Sequence, residues 1–598
     1  MYDYTEAWKQ KIAKILTTLL DETSAPMETI SPGQVVAEIP PSPEMGDLGF
    51  PMFGYAKLLR KGPPQIALLV AAKLPGSFAT GPYVNVRLDR AETAASILGG
   101  LLTEGVSFGR PATLKGSRIM VEFSSPNTNK PLHLGHLRND VLGESISRIL
   151  VACGAEVRKV CIINDRGIHI CKSMLAYREH GEGKTPESEG VKSDRFVGDW
   201  YVRFNKDLKE ETEALKREKG IDDKEAEAQA PVLRRAQELL RQWEAGDGET
   251  VELWKKMNSW AIDGWKETYR RTGVSFDKYY YESETYLLGK DEILKGLERG
   301  IFFREEDGSV QVDLSDEKLG KKVLLRKDGT SIYITQDLGT AINRHNDWPF
   351  DRLVFVVGSE QQYHFKVLFV LLQKLGFEWA RNLYHLSYGM VNLPEGKMKS
   401  REGTVVDADD LIDNLRNMAI EEIRGKEREE AVGDPEAAAE KIAIGALHYY
   451  LLQASPSKDM LFDPKESLAF NGNTGPYLQY MGARISSLLR KAEDRGSVKT
   501  GAKIRFECLG GDAEWELIKT LGNYNDAIAA AAAGMDASLL TAYLYELAKN
   551  FSRFYHECPI LNAEEPDTAF ARLSLSRAVL KVLTDALDLV CIPFLEVM

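Results

Sequence analysis

The sequence lacks the features that identify several broad classes of protein. Its six cysteines are dispersed and form no C-x-x-C pair, so it offers no spacing typical of structural zinc. Its longest apolar run, IALLVAAKL, is far shorter than the roughly 20 residues that span a bilayer. The N-terminal segment has an amphipathic helix pattern that contains acids, which is unlike a signal or transit peptide. We therefore expect a cytoplasmic protein with no membrane association and no protein-bound structural metal.

An excess of positive charge and the two common nucleotide-binding fingerprints are absent as well. The formal net charge is −13, which argues against a protein that coats nucleic acid but stays compatible with a local basic surface. The sequence contains neither G-x-x-x-x-G-K-[ST] nor G-x-G-x-x-G. Any nucleotide site in this chain must therefore be built from other motifs.

The 598 residues exceed what one hydrophobic core accommodates, and their patterning changes along the chain. Residues 1–111 predict a small α+β domain. Buried strands alternate with helices over residues 112–430, which predicts a Rossmann-type parallel sheet with a charged helical insertion at about 178–260. Long amphipathic helix patterns without strand patterns fill residues 431–598 and predict a helical bundle. The expected fold class is α/β, with an N-terminal α+β domain and a C-terminal all-α domain.

The predicted sheet rests on five apolar segments. They are IMVEF, VRKVCIIN, SIYITQD, RLVFVVG and LYHLSYGMV, and a helix is expected between the first two, from Leu134 to about Cys153. This strand–helix–strand order predicts that neighbouring strands are parallel.

The segment SPNTNKPLHLGHLRND, residues 125–140, places two of the nine histidines three residues apart. His133 and His136 follow Pro131, which fits the first turn of a helix, so both imidazoles should lie on one helix face. Apolar residues 118–123 precede the segment, which gives the order strand, polar loop, helix start. Open α/β sheets bind anions at such a place, through free backbone N–H groups and the helix dipole. The alternative is a histidine pair with a purely structural role.

Two further segments carry candidate chemistry. In LPEGKMKSREGTVV, glycines flank Lys397, Lys399 and Arg401, a pattern typical of a cationic loop that closes over phosphate; the alternative is an exposed basic turn. In VLLRKDGTSIYITQDLGT, Tyr333 and Asp337 lie four residues apart where we expect a strand to pass into a helix. The alternative there is ordinary turn and helix-cap chemistry.

Together these motifs resemble those of the class I aminoacyl-tRNA synthetases, and over nearly the whole chain those of the arginyl-tRNA synthetase family. The residues that carry the resemblance are EFSSPN (122–127), KPLHLGHLR (130–138), NDRG (164–167), LLRKDGT (324–330) with Tyr333 and Asp337, and 396–406. The segment NTGPYLQYMGARI is similar to the first helix of that family's anticodon-binding domain.

The resemblance implies an ATP- and Mg²⁺-dependent enzyme. Its members activate L-arginine to arginyl-adenylate and transfer the arginyl group to the 3′ end of tRNA(Arg). It also implies that residues 1–111 contact the tRNA elbow and that residues 431–598 bind the anticodon arm. We expect a monomer.

The resemblance further implies roles for individual residues. The implied catalytic residues are Lys130, His133, His136, Lys397, Lys399 and Arg401. The implied ATP contacts are His133, Gly135, His136, Gly358, Met398 and Ser400. The implied arginine contacts are Glu122, Ser124, Asn127, Tyr333, Asp337 and Gln361. The central motif comprises Asn127, Thr128, Asn129, Lys130, Pro131, Leu132, His133, Leu134, Gly135 and His136.

Four side chains of the predicted bundle are candidates for contact with tRNA, because aromatic and cationic groups suit stacking on bases and binding to phosphate. They are Tyr477, Tyr480, Arg484 and Tyr555. The alternative places the tyrosines in the core of the bundle.

The chemistry of amino-acid activation fits these residues. Its transition state gathers negative charge on phosphate oxygens, which imidazole and lysine donors stabilise, and Gly135 leaves room for adenine or ribose. Two acids suit a guanidinium, which presents five donors in a planar fork. The loop departs from the K-M-S-K-S pattern of the class, so Lys397, Lys399 and Lys130 remain alternatives for the phosphate contact.

Other functions remain to be distinguished. A non-catalytic RNA-binding protein with a synthetase fold is one alternative. The sequence argues against it, because the residues expected in both phosphate motifs and in the arginine pocket are all present. A cysteinyl-tRNA synthetase would require cysteine ligands for zinc. A glutamyl-tRNA synthetase would require a cationic pocket.

Overall fold

A computed structural model describes residues 4–21, 29–392, 394, 406–425, 432–495 and 503–598. The chain forms two compact units. The first comprises Met1–Arg110, Ser487–Asn525 and Glu546–Val582, and the second comprises Pro111–Ser486, Asp526–Tyr545 and Leu583–Met598. None of the helices in the described ranges is long and apolar enough to cross a membrane.

The N-terminal part of the first unit is an α+β structure. Its elements are α1 (Tyr4–Asp21), β1 (Leu48–Pro51), α2 (Ala56–Leu59), α3 (Pro63–Lys73), β2 (Ser77–Thr80), β3 (Tyr83–Val86) and α4 (Arg90–Thr103). The strands form an antiparallel sheet in the order β1-β3-β2. Buried residues of α1, α3 and the sheet, among them Leu16, Val70 and Val84, form its core. This mixture of helices and an antiparallel sheet is the α+β structure that the sequence predicts.

The second unit begins with the strand–helix–strand order that the sequence predicts. Its first elements are β4 (Arg118–Glu122), α5 (Leu134–Ala152), β5 (Glu156–Ile163) and α6 (Ile168–His180). The charged stretch that follows is helical: α7 (Pro186–Glu189), α8 (Ser193–Lys219), α9 (Asp223–Gln229), α10 (Pro231–Glu244) and α11 (Gly248–Thr272). Within this stretch the segment DKEAEAQAPVLRRAQELLRQWEAG forms two helices, α9 and α10, because Pro231 has no N–H and begins a new helix.

The remaining strands of the unit follow the helical stretch. The elements are β6 (Lys278–Tyr281), α12 (Glu282–Thr285), α13 (Lys290–Glu298), β7 (Phe303–Arg304), β8 (Val310–Leu314), β9 (Gly320–Leu325), α14 (Tyr333–Asp347), β10 (Arg352–Gly358), α15 (Gln362–Lys374), β11 (Leu383–Tyr388), β12 (Val391–Asn392) and α16 (Ala408–Gly425). The order β11-β10-β4-β5-β6 is parallel throughout, as predicted, and β7-β8-β9 form a separate antiparallel sheet.

The strand predicted at SIYITQD is wrong, because α14 begins at Tyr333. The buried residues Ile334, Leu338 and Ala341 follow a helical spacing, so the apolar run belongs to the buried face of a helix. A short apolar run does not distinguish a strand from the start of a buried helix by periodicity alone.

The C-terminal part is helical, as predicted. Its elements are α17 (Pro435–Leu452), β13 (Met460–Leu461), α18 (Pro464–Ser467), α19 (Gly475–Asp494), α20 (Asp512–Gly522), α21 (Tyr524–Gly534), α22 (Ser538–Glu557) and α23 (Pro566–Leu589). The expectation of no strand beyond residue 430 is wrong at β13, which pairs in parallel with β12. Two-residue strands carry no periodic pattern that would reveal them.

One buried arginine fixes the chain beyond the end of the central sheet. Arg138 of α5 is fully buried and donates to the carbonyl oxygens of Gly389 and Lys458, at 2.7 Å each, and of Pro456 at 3.1 Å. It therefore connects the segment after β11 to the segment before β13. The motif that carries the histidines thus also organises the surrounding backbone.

Candidate active site

The carboxyl ends of the central strands open into a cavity of about 840 Å³. Open α/β sheets bind ligands at this edge, where loops and helix N-termini follow the strands. The residues named by the sequence that line it are Glu122, Ser124, Lys130, His133, Gly135, His136, Asp337 and Gln361. The structure therefore brings together side chains from four separate segments of the sequence.

The two histidines are oriented by backbone hydrogen bonds at the start of α5. The Gly135 N–H donates to His133 Nδ1 at 3.1 Å, and the His133 N–H donates to His136 Nδ1 at 3.2 Å. The ring centroids are 3.9 Å apart. A neutral imidazole whose Nδ1 accepts carries its proton on Nε2, so each ring has one N–H left to donate.

Burial fixes the charge of this pair. Removal from water, together with the nearby Lys130 ammonium, lowers the pKa of His133 to about 3. Burial also lowers the pKa of His136 well below its usual range, and His133 and Lys130 lower it further. Both rings are therefore neutral at physiological pH. They act as hydrogen-bond donors, and Lys130, which lines the same cavity, carries the positive charge.

Gly135 makes room for one of these rings. A Cβ atom at position 135 would lie 3.0 Å from His133 Cε1 and 3.1 Å from its Nδ1. Any larger residue would therefore push against the imidazole. The glycine has this packing role besides the predicted contact with the nucleotide.

Glu122 lies at the end of β4 and is paired with an arginine of the chain itself. The Arg344 guanidinium donates through Nη1 to Glu122 Oε2, and both side chains are buried. Burial raises the pKa of Glu122, and the charge of Arg344 opposes that rise. Among the described residues, Arg344 Nε and Nη2 have no hydrogen-bond partner. The Glu122 carboxylate, which is predicted to face a substrate guanidinium, is therefore already paired with the guanidinium of Arg344.

Asp337 is the acid predicted from the sequence that stays exposed in the cavity, which Glu360 and Asp459 also line. Its side chain is 46% exposed, and its Oδ2 is 2.6 Å from His364 Nε2. His364 and Gln361 also line the cavity. Tyr333, one helical turn before Asp337, is 77% exposed and is not among the described residues that line the cavity. Of the predicted pair, Asp337 therefore lines the cavity and Tyr333 does not.

Other members of the central motif lie beside the cavity. Asn127 forms a parallel backbone bridge with Asn164, which does line the cavity. Pro131 and Leu132, with Lys130 and His133, line an adjacent cavity of about 240 Å³. The motif residues that are buried are Thr128, Asn129, Leu132 and Leu134. Gly358 is the last residue of β10.

The candidate loop residues after β12 lie outside the described residues. They are Lys397, Met398, Lys399, Ser400 and Arg401. Their predicted roles in phosphate and ATP binding stay predictions.

The structure adds side chains that the motifs alone did not reveal. Those lining the cavity with polar groups are Thr340, Arg344, Glu360, His364, Tyr388, Asn392 and Asp459, together with Asn139 and Asn164, which belong to quoted motifs but had no role assigned. Helical spacing could have indicated two of them: Arg344 lies seven residues after Asp337, and His364 lies three residues after Gln361. For Asn164 and Tyr388 the signal is their position at the carboxyl ends of β5 and β11.

The side chains predicted to contact tRNA lie in two helices. In α19, Arg484 Nη2 donates to the Tyr480 hydroxyl at 2.8 Å, and Tyr477 lies near Tyr545 with ring centroids 6.2 Å apart. In α22, Tyr555 is 38% exposed. These positions leave Tyr480, Arg484 and Tyr555 at least partly accessible.

Family models match the chain in three consecutive segments. Residues 98–463 match tRNA synthetases class I (R), catalytic domain; residues 6–88 match the arginyl tRNA synthetase N terminal domain; and residues 478–598 match the DALR anticodon binding domain. The chain is 58% identical to the arginine–tRNA ligase of Treponema denticola over 100% of both chains. The chain belongs to the arginyl-tRNA synthetase family. It is also 43% identical to the arginine–tRNA ligase of Borrelia hermsii, over 99% of this chain and 98% of that one.

Solved structures agree with the family assignment. The arginyl-tRNA synthetase of Thermus thermophilus superposes with a TM-score of 0.79 at 26% identity, over 99% of this chain and 100% of that chain. That of Plasmodium falciparum superposes with a TM-score of 0.73 at 18% identity, over 99% of each chain, and supports the fold alone. The full-length coverage shows that the arginyl-tRNA synthetase architecture extends over the whole chain.

The neutral histidine predicts a pH dependence of stability in this arginyl-tRNA synthetase family member. The folded-state pKa of His133 lies near 3 against 6.5 for a free imidazole, so the unfolded state binds the extra proton first. The contribution of His133 to stability is therefore present above pH 6.5 and is lost as the pH falls from 6.5 towards 3. His133→Asn should show a shallower loss of unfolding free energy over this window, measured by urea unfolding.

The control for this experiment is His556→Asn, at an exposed position. It should keep the wild-type slope. An unchanged slope in His133→Asn would contradict the neutral buried state.

The pairing of Glu122 with Arg344 predicts a strong energetic coupling. Arg344→Met leaves a buried carboxylate without a partner and should lower the free energy of unfolding by about 3–5 kcal/mol. In the double variant Glu122→Gln/Arg344→Met no charge is stranded, so its loss should be smaller than the sum of the two single losses. Urea unfolding of the four proteins measures the coupling. Additive losses would contradict a buried ion pair.

Proposed function

We propose that the chain activates L-arginine with ATP and transfers the arginyl group to tRNA(Arg). In the first step a carboxylate oxygen of arginine attacks the α-phosphorus of ATP, and pyrophosphate leaves. In the second step a hydroxyl oxygen of the tRNA 3′-terminal ribose attacks the arginyl carbonyl carbon, loses its proton, and AMP leaves. The observation that carries the proposal is that one cavity contains both the neutral histidine pair and an open acid.

The histidine pair suits the first step. His133 and His136 each have an Nε2–H group free of the backbone bonds made at Nδ1, and a donor fixed in advance stabilises charge that develops on phosphate. Lys130 adds a cation in the same cavity. Mg²⁺ accompanies ATP as part of the substrate. Lys397, Lys399 and Arg401 remain candidates for binding the pyrophosphate.

The balance of charge in the cavity suits a cationic amino acid. Besides the Glu122–Arg344 pair, which is neutral as a whole, the carboxylates of Asp337, Glu360 and Asp459 line the cavity. We propose that Asp337 is the one that meets the arginine side chain. His364, whose Nε2 lies 2.6 Å from Asp337 Oδ2, orients the carboxylate. We propose that the substrate guanidinium binds between Asp337 and the Glu122–Arg344 pair, with Gln361 near the α-amino group.

The flanking parts of the chain suit tRNA binding. We propose that residues 1–111 contact the elbow and that residues 431–598 grip the anticodon arm, with Tyr477, Tyr480, Arg484 and Tyr555 facing the nucleic acid. The Arg484–Tyr480 pair offers a cation and an aromatic ring together, which suits stacking on an unpaired base. We further propose that the protein acts as a cytoplasmic monomer.

The proposal predicts that arginine alone, of the standard amino acids, supports tRNA charging. Asp337→Asn keeps the shape of the side chain and removes its charge, so the KM for arginine should rise by about 10- to 100-fold. The KM for ATP should change little, because the nucleotide meets the histidines. Charging and pyrophosphate exchange, with and without tRNA, measure both constants.

The control is Asp291→Asn, which removes one exposed acid from α13 outside the cavity. Both KM values should stay at wild-type levels there. Equal rises for arginine and ATP in Asp337→Asn would mean that Asp337 supports the fold. Binding of tRNA without charging of any amino acid would favour the non-catalytic RNA-binding alternative.

A further inference from the structure

The turn that follows β4 is strained. Ser124 and Ser125 have φ angles of 72° and 51°, in the left-handed region that favours glycine. Each such residue is less stable than one in an ordinary backbone conformation, because its Cβ lies too close to the backbone. Both serines line the cavity. In the chain they lie between Glu122 and the histidine motif. Strain of this kind persists only where the surroundings enforce it.

Asn139 enforces the turn from inside the protein. Its Oδ1 accepts from the Ser124 N–H at 2.6 Å, and its Nδ2 donates to the Val356 carbonyl at 2.8 Å and to the Tyr388 hydroxyl at 3.0 Å. Asn139 is 7% exposed. Its oxygen and its nitrogen are therefore both engaged, and they connect the turn after β4 to β10 and to the end of β11.

Two other side chains complete the arrangement. The Tyr269 hydroxyl is 2.7 Å from Ser124 Oγ, and Asn164 Nδ2 donates to the Ser125 carbonyl at 2.9 Å. Unlike Tyr269 and Asn164, Asn139 lies on α5, three residues after His136 and on the same helix face. One helix therefore positions a phosphate-facing imidazole and the strained turn together.

We infer that Asn139 is a positioning residue for amino-acid activation, which acts by fixing the Ser124–Ser125 turn between β4, β10 and β11. This inference rests on the proposed function. The turn joins the end of β4 at Glu122 to the segment that carries His133, so its position affects the distance between the groups proposed to meet arginine and those proposed to meet ATP. A displacement of about 1 Å between reacting groups can lower a rate by about 100-fold.

The test is a double-variant cycle with glycine. Asn139→Ala should lower the single-turnover rate of arginyl-adenylate formation by about 100-fold, with a smaller change in the KM values of arginine and ATP. Glycine adopts positive φ without a steric penalty, so it retains the turn with less outside support. In a Ser125→Gly background, Asn139→Ala should therefore lower the rate by only about tenfold or less.

The outcomes separate the roles of the residue. Equal losses in the serine and glycine backgrounds would overturn the inference, because Asn139 would then act by another route. A wild-type rate in Asn139→Ala would overturn it as well. Asn258→Ala, at another buried asparagine of the same unit, whose Nδ2 donates to the Asp165 carbonyl, is the matched control and should show no relief by Ser125→Gly.

A milder variant covers the case in which Asn139→Ala fails to fold. Tyr269→Phe removes only the hydroxyl that meets Ser124 Oγ, and it should lower the rate in the serine background more than in the glycine background. The same loss in both would overturn the inference. Failure of the wild-type protein to form arginyl-adenylate would instead reject the proposed function, so the two failures are distinguishable.

Discussion

The ion pair between Glu122 and Arg344 is the interaction on which the construction of the cavity depends. A carboxylate at the end of a central strand is out of water, and it stays charged there only with a partner and well-placed hydrogen bonds. Arg344 is that partner, although it lies 222 positions after Glu122 in the chain. Since the pair is neutral as a whole, the charge that the cavity presents to a ligand comes from its other ionised side chains, which are Lys130, Asp337, Glu360 and Asp459.

The same loss of water shapes the side of the site that carries the histidines. Burial makes the His133 and His136 rings neutral, and backbone N–H groups occupy their Nδ1 atoms, so each ring presents one donor in a fixed direction. The strained Ser124–Ser125 turn lines the same cavity and follows Glu122 in the chain. Its position depends on Asn139, whose hydrogen bonds extend to β10 and β11. Charge, tautomer and backbone are thus each fixed by a few buried contacts.

Sequence patterns predicted the parts of this site that depend on local order. The strand, loop and helix around His133 follow from periodicity and Pro131, and the parallel sheet follows from the alternation of elements. Patterns failed at SIYITQD, where a buried helix face resembled a strand. They also missed Arg344 and Asn139, because the roles of both arise from contacts between segments far apart in the chain. Nothing in the sequence indicated that Glu122 was already paired.

The central claim is that the Asp337 carboxylate recognises the charge of the amino acid. Citrulline, which has nearly the shape of arginine and no charge, tests it most directly as a competitor in pyrophosphate exchange with tRNA present. We predict that citrulline neither supports exchange nor inhibits it at about 100 times the KM of arginine, since a site built for a charged donor rejects an analogue that leaves its buried groups unpaired. Inhibition by citrulline within about tenfold of the arginine KM would show that shape governs recognition, and would contradict the account.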